Sequence, residues 1–439
     1  MLQFWIQFAI LLSCIFVGAR MGGIGLGVMG GVGLAVLIFM FGLQPTAPPV
    51  DVIFMILAVI TAAGTLQASG GMNHLVFWAE KALRKNPKNI TFMAPIVTYI
   101  FTFFAGTGHV AYSVLPVIAE VAKEAKVRPE RPMGIAVIAS QQAITASPIS
   151  AATVTLLALL SPFDITLMQI LLITIPATFL GCMIAAFVSS KRGVELENDP
   201  IYLDRLEKGL VTIREDKKDY VPTLGGRLSV YLFLFAAFLV VLMGSFKGLR
   251  PSWMIDGELV IMSMPYTIQI VMLTITALMI VLCKPVVEEI VSGSVFKAGA
   301  TAVVAIFGIA WMGSTFFQGN MEFIQGSISD LVMMAPWLFA LALFALSILL
   351  YSQAATVVSL VPLGITLGIS PALLIAMFPA VNGYFFFPNY GTVVAAINFD
   401  TTGTTRIGKF VINHSFMIPG LISTISAVII GVLLSTIVL

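Results

Sequence analysis

Four short stretches place hydroxyls, amides and glycines inside otherwise apolar sequence. They are "GTGHVAYSVLP" (Gly106–Pro116), "ITASPISAAT" (Ile144–Thr153), "SQAATVVSLVP" (Ser352–Pro362) and "YFFFPNYGTVV" (Tyr384–Val394). None contains Lys, Arg, Asp or Glu, so whatever binds there meets neutral groups. Such residues start new half-helices, whose N-termini carry unpaired N–H groups and about half a positive charge each. In "SPIS", Ser147 reads as an N-cap and Pro148 as the first helical position. Pro388 with Asn389, and the tips at Thr107 and Ser352, offer similar starts. Four starts pointing inward sum to roughly two positive charges, which suits a small dianion.

The candidate ligands are therefore Gly106, Thr107, Gly108, His109 and Ser113 in the first stretch and Ser147, Pro148 and Ser150 in the second. Ser352, Gln353 and Thr356 follow in the third, with Pro388, Asn389 and Thr392 in the fourth. His109 is read as a tip residue bonded to nearby backbone, ahead of a ligand or gating role. Asp400 is read as an interfacial partner of Arg406 and Lys409, ahead of a role in coupling. Cys14, Cys182 and Cys283 lie in apolar stretches without pairing or ligand spacing, so neither a disulfide nor a zinc site is expected. "GIGLGVMGG" contains G-x-G-x-x-G at Gly25, Gly27 and Gly30, but no strand precedes it, which argues against a dinucleotide site. Gly23, Gly27 and Gly31 instead suit close helix packing, within a scaffold or at a dimer interface.

The elements that must hold these stretches follow from composition. Of 439 residues 59% are hydrophobic and only 10% charged, the signature of an all-α polytopic membrane protein. The net charge of +2 carries no message about partners, and nothing points to nucleic acid. No cationic leader precedes Arg20, so the first apolar run is expected to be a span. Ten spans are predicted, near 2–18, 22–43, 50–70, 132–160, 165–190, 228–245, 265–283, 298–317, 371–398 and 411–437.

Two further apolar segments, 93–122 and 336–368, contain the first and third polar stretches. The first is flanked by Lys81, Arg84, Lys85 and Lys88 before it and Lys123, Lys126, Arg128 and Arg131 after it. Short basic loops stay in the cytoplasm, so both ends lie on one side and the segment is a re-entrant hairpin. Its arms, taken as about 12–14 residues, reach about 20 Å, short of a roughly 30 Å hydrocarbon core. With both segments re-entrant, every Lys and Arg except Lys247 and Arg250 falls inside, and both termini lie outside. The linker 191–227 is then cytoplasmic. Within it Asp199 and Pro200 start a surface helix with Leu203, Leu206, Leu210 and Ile213 on one face.

Each half thus holds three spans, a hairpin, a broken span and a final span, as 1–190 and 228–439. Five crossings per half is an odd number, so the halves are inverted. Inverted repeats with discontinuous helices are a common secondary-transporter plan, with the site at the breaks. Unwound backbone is tolerated at that depth only where it is buried in protein or lines a wet cavity.

The stretches "FAGTGHVAYSVLPVIAEVAKE", "QQAITASPISAATV", "LLYSQAAT" and "FDTTGTTRIGKFVINHSF" resemble the anaerobic C4-dicarboxylate transporter family over essentially the whole chain. "DPIYLDRLEKGLV" and "YSQAAT" are more similar to its A-type than its B-type. The resemblance implies exchange or uptake of fumarate, succinate, malate and aspartate across a bacterial inner membrane. It also implies an ion-transporter fold, commonly a homodimer with a static scaffold and a moving transport domain. It implies no organic cofactor and leaves Na⁺ or H⁺ coupling open.

Three other readings compete. A sodium-coupled carrier of another organic anion would use carbonyls and hydroxyls at the same breaks. An intramembrane hydrolase pairing a serine with His109 would leave both hairpins unexplained, and no G-x-S-x-G is present. A membrane sensor, or a partner of one, is compatible with transport.

The topology is tested by single cysteines at Lys126 and Ser370 on a cysteine-free background. An impermeant thiol reagent should label position 370 in intact cells and position 126 only after permeabilisation. The reverse pattern refutes the orientation.

Overall fold

The computed structural model describes residues 2–439 apart from 22–23, 49, 212–220, 256, 324–334, 336, 351, 389 and 409–411. The first half runs α1 (Leu2–Met21), α2 (Gly25–Phe39), α3 (Val50–Ala68), α4 (Gly71–Lys85), α5 (Ile90–Ala105) and α6 (Ala111–Glu124). It continues with α7 (Glu130–Ala146), α8 (Ala151–Leu160) and α9 (Leu167–Ser190), and a short α10 (Pro200–Glu207) follows. The second half has α11 (Leu224–Ser245), α12 (Met264–Cys283), α13 (Val287–Ser292), α14 (Ser294–Gly319), α15 (Trp337–Leu350) and α16 (Gln353–Thr366). It ends with α17 (Pro371–Met377), α18 (Gly391–Phe399) and α19 (Met417–Val438). The chain is an all-helical polytopic membrane protein, with one departure from all-α. Ser252–Ile255 and Glu258–Ile261 pair as an exposed antiparallel ribbon, Ser252 opposite Ile261.

Among the described residues, 7 helices are long and apolar enough to cross a membrane, or 8 with the bent pair α3–α4. The remaining apolar helices, including α2, α15 and α16, run 10–17 residues. Residues 71–85, expected as loop, form α4 instead. Leu75, Ala79 and Leu83 recur every fourth residue and are all buried, so one face packs inward while Arg84 and Lys85 end the helix. Gly70, at φ +80°, makes the turn of 71° from α3. Arg84 then bonds Glu80, Glu120 and Glu124, each at 2.8 Å, which clamps α4 to α6.

The helix pairs α5/α6 and α15/α16 occupy the two interrupted segments, but the interruptions are shorter than eleven residues. Tyr112–Pro116 already belong to α6 and Gln353–Pro362 to α16. α5 is also longer than the expected arm: its 16 residues reach about 24 Å, so arm length alone does not exclude a crossing. α19 begins at Met417, later than position 411.

In the linker, Asp199 caps α10 by accepting from the Ile201 and Tyr202 N–H groups and pairs with buried Arg128. Leu203 and Leu206 are exposed on α10, which stops at Glu207, so Leu210 lies beyond it and Ile213 outside the described residues. Arg131 bonds the Arg192 and Gly193 carbonyls and Glu195, tying the linker to α7.

The closest packing runs between helices that are not consecutive in the chain, most of them in opposite halves. α2 lies on α14 and α3 on α12, while α5 lies on α7 and α9 on α19. The α2–α14 seam uses Gly27 and Gly30, whose Cα atoms face the α14 backbone at Val304 and Gly308. Gly31 faces open space and Gly23 lies outside the described residues, so the glycine stripe is narrower than its spacing implied. A side chain on Gly308 would run into the Gly27 carbonyl. Gly308→Val should therefore cost at least about 1–3 kcal/mol, read as a lower melting temperature in detergent, whereas Gly31→Val should leave it unchanged.

Candidate functional site

The breaks meet at one cavity of about 390 Å³. Its wall includes Gly106, Thr107 and Gly108 from the first tip, Ile149, Ala151 and Ala152 from the first break, Ser352 and Gln353 from the second tip, and Tyr390 from the second break. α3 and α14 close the other side, through Ile56, Ile60, Val295 and Gly299 among others. Among the described residues no charged one lines it. The starts of α8 and α16 both form part of the wall.

Local chemistry explains each start. Gly106 ends α5 in the left-handed conformation at φ +69°, donates to the Thr102 carbonyl, and packs on Ile149. Ser352 is the N-cap of α16: its hydroxyl accepts from the Ala355 N–H at 3.2 Å. At the first break the cap is Ser150, which accepts from Thr153 N–H at 3.1 Å. The expected cap, Ser147, instead ends α7 and donates its hydroxyl to the Phe103 carbonyl at 2.6 Å. The two serines of "SPIS" look alike in sequence. The first is consumed in fastening the break to α5, the second in starting α8, and neither lines the cavity.

The other candidates divide. Gln353 is buried and lines the cavity; Thr356 is buried in α16 and bonds the Ser352 carbonyl at 2.8 Å. Pro148 and Pro388 are buried in the breaks, and Ser113 is exposed on α6. Thr392, one residue into α18, is buried with a hydroxyl that has no partner among the described residues. His109 belongs to the 3₁₀ turn Gly108–Val110, its side chain lying outside the described set, as does Asn389. Asp400 is buried rather than solvated, and no pairing with Arg406 is found among the described residues. Its carboxylate accepts from Thr402 and Thr405 N–H groups and from the Thr402 and Thr404 hydroxyls, while Arg406 is exposed and Lys409 lies outside the described residues.

A buried amide network behind the cavity had no sequence signal beyond "QQ" inside an apolar span. Gln353 Nε2 donates to Gln141 Oε1 at 2.9 Å and to Asn382 Oδ1 at 3.2 Å. Asn382 Nδ2 donates to Gln142 Oε1 at 3.2 Å, and Gln142 Nε2 to the Thr424 hydroxyl at 3.0 Å. The network therefore joins α7, the second tip, the second break and α19. Gln141 Nε2 itself is buried without an acceptor among the described residues, and the Gln141 amide lies against Gly108 of the first tip. Such a donor is costly to leave unmade and is a natural place for an anionic ligand oxygen. At the second break, His414 Nδ1 accepts from Phe416 N–H and its Nε2 faces the Phe386 carbonyl at 3.2 Å. Burial and the charge of Arg192 lower the His414 pKa, which favours this neutral form.

Comparison with known proteins gives a consistent answer. A profile for the anaerobic C4-dicarboxylate membrane transporters matches residues 3–439. The C4-dicarboxylate transporter DcuA of Wolinella succinogenes is 43% identical over 433 residues, covering 99% of each chain. DcuA of Escherichia coli (strain K12) is 44% identical, covering 98% of this chain and 99% of its own. The anaerobic C4-dicarboxylate transporter DcuB of Escherichia coli O6:H1 is 42% identical, covering 98% and 97%. The solved structure of Neisseria gonorrhoeae MtrF, from a class of antimetabolite efflux pumps, shares the fold at a TM-score of 0.55 and 14% identity, over 92% of this chain and 84% of its own.

The division of the serines is testable. Losing the Ser150 cap should cost about 0.5–2 kcal/mol, so Ser150→Ala and Ser147→Ala should lower the melting temperature while retaining ligand affinity in the folded fraction. Ser352→Ala and Gln353→Ala should weaken affinity as well, measured by isothermal titration.

Proposed function

The chain belongs to the anaerobic C4-dicarboxylate membrane transporter family and is a C4-dicarboxylate transporter, and from that premise we propose that the cavity at the breaks is its substrate site. The observation that carries this reading is the convergence of two hairpin tips and two broken helices on one cavity whose wall holds no charged side chain among the described residues. Positive potential there comes from helix starts and amide donors, which are fixed in place before the ligand arrives. The hydroxyls of Thr107 and Ser352, the backbone N–H of Gln353 at the start of α16 and the spare Gln141 N–H are the donors assigned to carboxylate oxygens. One carboxylate faces each tip, so the spacing of the tips measures the carbon chain.

In this reading the substrates are fumarate, succinate, malate and aspartate, moved by exchange or uptake across a bacterial inner membrane. The halves are inverted repeats and both hairpins are re-entrant, which is supported by tips that line a cavity and by the basic residues that flank α5 and α6. Both termini face outward, and the protein works as a homodimer. α2, α3, α12 and α14 form the scaffold, and the hairpins with α7–α9 and α17–α19 form the moving body. The cavity wall reaches Gly18, Ala63 and Val295, near the helix ends that carry Arg20 and Lys297, so it opens toward the cytoplasm in the state described here. Alternating access then consists of sliding the moving body along α3 and α14.

Competition against labelled succinate tests the dianion site. Fumarate and aspartate should compete well. Lactate lacks a partner for one tip, and citrate brings a third charge; each should bind at least about tenfold more weakly, the fold-change of one lost bond to a charged group at about 1.5–3 kcal/mol. Binding should also weaken as the pH falls through the second carboxyl pKa of the ligand. Equal competition by lactate or citrate overturns the two-ended site.

A further inference from the structure

A second cavity, of about 270 Å³, continues the first toward the opposite face. Val154 of α8 walls both, and the α3 neighbours Met55 and Ile56 wall one each. Its wall also includes Leu157, Ser161 and Thr166, the foot of the ribbon at Ile261 and Ser263, and Arg250 and Asp164. The two spaces therefore lie along one cleft between α3 and α8, interrupted at Val154.

Arg250 is the unusual group in this wall. Its Nη1 donates to the Met262 carbonyl at 3.0 Å, which fixes the side chain against the ribbon. Its Nε is buried and has no acceptor, and no carboxylate pairs with it among the described residues. A guanidinium stays charged in any protein setting and offers a planar fork of donors that fits a carboxylate. Here one edge of the fork is spent on backbone and another N–H is left unmade, beside a cavity. Asp164 lines the same wall, so the cavity carries both signs of charge.

We propose that Arg250 forms an access subsite that receives one carboxylate of the C4-dicarboxylate at the outer end of the cleft, before the ligand passes Val154 to the central cavity. The proposal rests on the substrate-site reading above and on the orientation that puts Arg250 outside. A single guanidinium edge beside a carboxylate-bearing wall suits a transit position, since a tight outer site would trap the ligand short of the tips.

The test compares succinate transport from each face, in right-side-out and everted membrane vesicles, for wild type, Arg250→Gln and Arg250→Lys. Arg250→Gln should raise the external KM about tenfold, as expected for a lost charged hydrogen bond, with the maximal rate and the cytoplasmic KM unchanged. Added salt should raise the external KM of wild type and leave that of Arg250→Gln unaffected, because the steering charge is gone. Arg250→Lys keeps the charge without the fork and should fall between them; if Arg250→Gln does not accumulate, this variant carries the comparison alone. Any pattern other than a KM change confined to the outer face overturns the subsite. Wild-type vesicles that bind and move no succinate overturn the substrate-site reading with it, whereas normal wild-type transport with an unchanged external KM in the variants overturns the subsite alone.

Discussion

Backbone N–H and C=O groups have no water to bond inside a bilayer, and the architecture follows from that constraint. A helix satisfies all of them internally, and a broken helix frees several at each end. This chain breaks its helices repeatedly, and each break is paid for locally. Gly106 N–H bonds Thr102, Ser147 ties down Phe103, Ser150 holds Thr153 and Ile144, and Ser352 holds Ala355. Gly383 N–H reaches across to the Ser347 hydroxyl at 2.8 Å. Part of what local bonds leave unmade, at the starts of α8 and α16, faces the central cavity, and the proposed binding potential of the site is that remainder together with the Gln141 amide.

The amide network gives that remainder its rigidity. Gln141, Gln142, Gln353 and Asn382 come from three separate parts of the chain, yet each fixes another through a side-chain amide. Amides suit this role because each can donate and accept without carrying charge, so the network neither repels an anion nor needs a counter-ion. It also links the two tips, since Gln141 touches Gly108 on one side and bonds Gln353 on the other. A ligand that engages either tip acts on one connected unit.

The breaks were legible in the sequence because glycine, serine and proline are rare punctuation in an apolar run, and their types name helix ends directly. Tips at Gly106–Gly108 and Ser352 fell where expected for that reason. The finer assignments depended on geometry. Ser147 and Ser150 have the same side chain and both precede helix-compatible residues, so only the path of the backbone decides which one caps α8. Gln141 and Asn382 resemble ordinary polar residues in helices until their partners, some 212 and 240 residues away, are seen. α4 was hidden because its charges read as loop, although the spacing of Leu75, Ala79 and Leu83 carried the helical period. Asp400 sits among threonines that bond it from within the same turn, a local solution that a search for ion pairs does not find.

The glycine seam between α2 and α14 has a further effect on the surroundings. α2 has only 15 residues, so it rises about 22 Å, while an ordinary hydrocarbon core is about 30 Å thick. Val28 and Val32 on its side away from α14 are exposed. A short apolar helix is accommodated by thinning of the bilayer, by snorkelling of its flanks or by oligomerisation, and a helix pinned to α14 cannot escape the mismatch by shifting along it. In the proposed division into scaffold and moving body, a membrane thinned there would shorten the vertical path of each stroke and make lipid thickness part of its cost.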